Sequence, residues 1–207
     1  MNLMRSISLL LFTTTLARGQ VLQQSQPASL SRQPDVLVHS LYQQVLVHHP
    51  IGIPKGADMK TFAPYLSETL LHRIDLATAC GADWYRQNPD PRLKPAFGWL
   101  ELGLFSGGDE QATPSSFVVD RSQAEKDGSI HVYVKLTYEE PRERPWTWRV
   151  AAIVLLENGH YVVDDIIYLK EPGESAESRL SKILSEGCDG PRWIGFGNQQ
   201  NHQRKQE

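Results

Sequence analysis

Two adjacent carboxylates, Asp164 and Asp165, stand in the middle of an apolar run from His160 to Leu169. A strand alternates its side chains between two faces. That alternation assigns His160, Val162, Asp164, Ile166 and Tyr168 to one face, and Tyr161, Val163, Asp165, Ile167 and Leu169 to the other. The second set is the more apolar, so one aspartate is expected on the core side. A carboxylate in apolar surroundings either finds hydrogen-bond donors or holds its proton more tightly. The tighter proton is what a general base in a pocket needs. Asp164 and Asp165 are therefore the candidates for proton abstraction, with Tyr133 or His131 of a neighbouring strand as hydrogen-bond donor. The competing reading is structural. One aspartate accepts from a backbone amide or from an arginine such as Arg149, and the other is solvated, since structural pairs perturb carboxylates as readily as active sites do.

Trp146, Trp148 and Tyr133 are the candidates for ligand contact, because aromatic side chains line pockets with large apolar area. The same residues serve equally as core, Trp148 more so than Trp146, which stands at a strand entrance beside a charged loop. Cys80 and Cys188 are the only cysteines, and in an oxidising compartment they are expected to form one disulfide. Other chemistry finds little support. His48 and His49 are neighbours, and on a helix they diverge by about 100°, which suits no shared metal. Ser106, in Gly103-Leu104-Phe105-Ser106-Gly107, sits one place too late for a nucleophile elbow and reads as a turn residue. No cofactor motif and no metal site is expected.

The elements that must position these residues follow from periodicity. Pro34 to Pro50 carries Leu37, Leu41 and Val45 on one face, which predicts a helix. A second helix is predicted from about Pro64 to Ala79, with Gly81 as its stop. The segment 88–114 is a long loop, rich in proline and glycine and interleaved with Trp99, Leu104 and Phe105. The period then changes to two. Strands are predicted at Ser116–Arg121, Ile130–Glu139, Trp146–Glu157 and His160–Leu169, the last two joined by the hairpin dipeptide Asn158-Gly159. A closing helix is predicted with Ser175 as N-cap and Gly187 in the left-handed position after its end. Trp193 and Ile194 are expected to fold back onto the body. Two N-terminal helices, a long loop, a four-stranded antiparallel sheet and a C-terminal helix make an α+β domain over residues 34–198.

The chain resembles the exported bacterial proteins grouped as domain of unknown function 3828. The resemblance rests on Leu41-Tyr42, the Asn88 to Gly108 segment, Ser116-Phe117-Val118-Val119 and the strand from Tyr161 to Tyr168, and it covers roughly residues 35–187. Tyr161 departs from the tryptophan common at that place. The resemblance implies a nuclear-transport-factor-2-like, or cystatin-like, fold: a cone in which a curved sheet and helices enclose a pocket. It implies no catalytic residue.

Residues 1–19 have the layout of a cleavable secretory signal: Arg5, then an apolar run from Ile7 to Ala17, then small residues at Ala17 and Gly19. The run is too short to span a membrane, which takes about 20 apolar residues. No cysteine follows it to carry a lipid, so no stable membrane anchor is expected after processing. Residues 20–33 read as a flexible leader and 199–207 as a polar tail. The net charge of −3 makes the chain a poor partner for nucleic acid. Periplasmic or extracellular placement is expected. Three functions remain open: a non-enzymatic domain binding a small apolar ligand or a protein partner, a small-molecule lyase or isomerase with a pocket aspartate as base, and a structural cell-envelope protein without a pocket.

Overall fold

A computed structural model describes residues 33–109, 112–141, 143–169 and 178–196. The expected signal peptide, nearly all of the leader, the polar tail and the Ser175 cap lie outside them.

Helix α1 (Pro34–His48) begins on a proline, whose fixed φ suits the first helical position, and ends where His49 takes a left-handed φ of 44°. It buries Leu37, Val38, Leu41, Tyr42 and Val45. The connection after Pro50 holds a short helix, α2 (Ala57–Phe62), and a 3₁₀ turn (Ala63–Tyr65) that the sequence reading missed.

Helix α3 (Glu68–Gln87) starts four residues later and ends eight residues later than expected. Ser67 caps it: its hydroxyl accepts from the Leu70 amide at 2.9 Å. Gly81 does not stop the helix. A Cβ there would meet the Trp99 ring at 3.3 Å, so the glycine admits an indole against the helix backbone.

Strands β1 (Ser116–Ala124), β2 (Ile130–Tyr138), β3 (Trp146–Glu157) and β4 (His160–Leu169) form an antiparallel meander. The tight turn between β3 and β4 uses positive φ at both Asn158 (51°) and Gly159 (82°). The sheet has five strands rather than four. A two-residue strand, β5 (Ser178–Arg179), pairs with β4 at the edge. It leads directly into α4 (Leu180–Ser185), so the last helix is only six residues long. Gly187 has φ of 73°, the left-handed conformation expected just past the helix end. A ribbon of β6 (Cys188–Asp189) and β7 (Arg192–Trp193) closes the described chain.

The helices and one face of the sheet share a single core. Tyr42, Phe62, Leu104, Phe105, Leu136 and Ile166 are fully buried within it. The long loop is part of this core rather than a cover over it. Its three successive carbonyls are each held by an aromatic donor from a different element. Tyr168 Oη donates to Leu104 O, Tyr42 Oη to Phe105 O, and Trp148 Nε1 to Ser106 O, each at 2.7 Å. Burial holds the Tyr42 and Tyr168 phenols well above the ordinary tyrosine range, so both stay protonated donors.

Cys80 of α3 and Cys188 of β6 form a disulfide with Cα atoms 6.1 Å apart. Around it, the Trp193 amide donates to Asp83 Oδ2 at 2.8 Å, and Trp193 stands edge-on to Phe97. The ribbon is thus folded back on α3, as expected for Trp193.

Candidate functional site

The two aspartates do not alternate. Ile153 of β3 pairs with Asp165, but Val154 pairs with Val163, which leaves Asp164 as an extra residue in β4. Such a bulge breaks the two-residue period locally. Before it, Tyr161 and Val163 pack into the main core; after it, Ile166 and Tyr168 do. Ile167 and Leu169 instead join Ala151, Ile153 and Tyr133 in a second cluster on the outer face. The expectation that Asp164 and Asp165 point to opposite faces, with Tyr161 and Val163 grouped beside Ile167, is therefore corrected. Both aspartates line one cleft.

Asp165 is 5% exposed, and its oxygens are occupied. Oδ1 accepts from the Ile166 and Ser181 amides at 2.9 Å each, and Oδ2 accepts from Ser181 Oγ at 2.6 Å. It fixes the first turn of α4 to β4, so hydrogen bonding answers its burial. Asp164 is less buried. Its Oδ1 accepts from Ser67 Oγ at 2.6 Å, which couples the α3 cap to the bulge. The Arg73 guanidinium approaches its Oδ2 to 4.0 Å. The expected arginine, Arg149, pairs instead with Asp120 at 3.5 Å, itself an extra residue at a register shift in β1.

The cleft has a volume of about 850 Å³ and lies against the outer face. Arg73, His131, Asp164, Asp165, Arg179 and Ser181 line it, and the β1–β2 turn closes one side with Glu125, Asp127 and Ser129. His131 reaches it because His131 pairs with Ile153, which pairs with Asp165, so one row crosses three strands. The His131 ring lies 3.8 Å from Glu125. Asp127 accepts from the Ser129 amide and hydroxyl at 3.0 and 2.7 Å, and these donors hold its carboxyl below the usual carboxylate range. Arg73 and Ser181 also line a neighbouring groove of about 440 Å³ between α3 and α4, which extends to Cys188.

Tyr133 is two residues further along β2 from His131 on the same face, and it carries the Arg121 guanidinium 4.3 Å above its ring. It stands outside the residues that line the cleft and packs on the outer apolar patch. Trp146 and Trp148 are elsewhere. Their rings stack at 4.9 Å, with Trp148 against the main core and Trp146 54% exposed. The structure therefore joins His131 with both aspartates and separates the tryptophans from Tyr133. The sequence reading missed Arg73, Arg179 and Ser181. Arg73 and Ser181 lie on helices and Arg179 on a two-residue strand, and no local pattern ties them to the sheet.

The arrangement defines an α+β domain with a polar cleft on the outer side of its sheet. No family model, no curated protein and no solved structure matches the chain. Among the described residues, no helix is long and apolar enough to cross a membrane.

Proposed function

We propose that this is an exported, non-enzymatic binding domain whose ligand site is the outer cleft between β2, β4, α3 and α4. One observation carries the reading. Residues from seven separate elements and turns, Arg73, Glu125, His131, Asp164, Arg179 and Ser181 among them, converge on a space of about 850 Å³. A pocket that size accommodates a small solute. Against a lyase or isomerase with Asp165 as base stands the use already made of that carboxylate, whose two oxygens hold three donors, while Asp164 gives Oδ1 to Ser67 and faces Arg73 with Oδ2. A base must have a free oxygen within reach of the proton that it takes. An enclosed apolar site within a cone finds less support, because Tyr42, Phe62, Leu104 and Phe105 occupy the space between helices and sheet. Export is supported by the Cys80–Cys188 bridge, since such bridges persist in oxidising compartments. The likeness to the exported family of unknown function is retained as part of this proposal.

Thermal-shift titration with a panel of amino acids, carboxylates, sugars and phosphates tests the site. At least one solute is expected to raise the melting temperature saturably, and His131→Trp, which fills the cleft, is expected to abolish the rise. The reading fails if no solute saturates, or if the variant binds as well as the natural chain. Mass spectrometry of the protein recovered outside the cytoplasm should find a new N-terminus near Gln20; an intact Met1 contradicts export.

A further inference from the structure

The charges lining the cleft are unequal in what they have left to bind. Each acid already holds at least one hydrogen-bond donor. Asp165 holds three donors, Asp127 holds the Ser129 amide and hydroxyl, Asp164 holds Ser67, and Glu125 accepts from Gln123 Nε2 at 2.9 Å. The cations hold fewer partners. Arg73 comes no nearer than 4.0 Å to Asp164, beyond hydrogen-bonding distance. Among the described residues, no carboxylate lies within ion-pair distance of Arg179 or Lys126. All three line the same cleft. A guanidinium presents a planar fork of donors that matches two oxygens of one carboxylate or phosphate.

Resting on the cleft as the binding site, we infer that its ligand is a small solute bearing a carboxylate or phosphate group, held by Arg73 and Arg179 with Lys126 at the rim. Two features keep the arginines available. The bulge turns Asp164 toward Ser67, so Arg73 has only a distant acid beside it. The α4 turn takes up Asp165, so the strand that carries Arg179 passes a carboxylate with no oxygen to spare. The hydroxyl oxygens of Ser129 and Ser181, which donate their protons to Asp127 and Asp165, face the same space as acceptors for polar groups on the rest of the solute.

Isothermal titration calorimetry on the purified full chain, with inorganic phosphate in one arm and succinate in the other, decides the matter. Saturable binding is expected in at least one arm, and which arm binds tells phosphate from carboxylate. Arg179→Gln, at an exposed position, should weaken binding at least tenfold, as should Arg73→Gln. Lys135→Gln, on the same sheet face but outside the cleft, should leave it unchanged. Binding in neither arm, or binding that Arg179→Gln does not weaken, overturns the inference. If a neutral solute saturates the cleft, is lost in His131→Trp and is indifferent to both arginine variants, the cleft remains the site and only the anion is wrong. If nothing saturates, both fall together.

Discussion

On its inner side the sheet meets Tyr42, Phe62, Leu104 and Phe105, all fully buried, and phenol and indole donors hold the loop carbonyls there. On its outer side it meets only a small patch, Ala151, Ile153 and Ile167, with Tyr133 and Leu169 at its margin and charged residues around it. The same four strands supply both surfaces. The inner face shows what aromatic volume and a packed loop do for stability. The outer face has enough apolar area to seal the strands, and it leaves its polar groups turned toward solvent. On the proposed binding role, stability and recognition are divided between the two sides of one sheet.

The comparison can be broken most severely through the covalent tie on the inner side. Cys80→Ala with Cys188→Ala removes a bridge between residues 108 apart in sequence. Chain entropy alone sets the loss at roughly 4–5 kcal/mol. Urea denaturation of the double variant should show a loss of that size, and a loss below about 1 kcal/mol would mean that the ribbon contacts suffice without the bond. Next in size is truncation of one side chain on each face. Phe105→Ala, in the inner core, should cost about 4 kcal/mol, and Ile167→Ala, on the thin outer patch, about 2 kcal/mol. Equal losses in the same denaturation series would erase the distinction between the faces. The finest test separates the two aspartates. Asp165→Ala strands the Ser181 amide and hydroxyl and should cost about 2–3 kcal/mol; Asp164→Ala leaves Ser67 still capping α3 and should cost less than about 1 kcal/mol. A reversed order would place the structural role on the wrong carboxylate.

Much of the frame was legible in the sequence. Strands β3 and β4 and their Asn158-Gly159 turn have the boundaries that alternation and turn chemistry predict, because every determinant there is local. The Cys80–Cys188 bridge followed from cysteine count and the expected oxidising compartment. What escaped notice depends on distant partners. Gly81 reads as a helix stop, yet it is there to admit Trp99 from the loop. The bulge at Asp164 escaped because strict alternation assumes that no residue is extra, and two polar residues in succession look the same with or without a bulge. The cleft was half visible: His131, Asp164 and Asp165 were singled out, but for proton abstraction. Their company, Arg73 and Arg179, comes from α3 and β5, brought near only by the docking of both at the β4 edge.

The extra residue in β4 acts as a frameshift written into a strand. Upstream of Asp164, odd-numbered residues face the core; downstream, even-numbered ones do. Deleting Asp164 alone would make the ladder regular, with Asp165 following Val163 directly and every later residue keeping its partner and its face. Ile166 and Tyr168 would still face the core, and the loss would fall on the carboxylate that accepts from Ser67 and ties the α3 cap to β4. The bulge is therefore a place where the strand can change length by one residue without turning its core side outward.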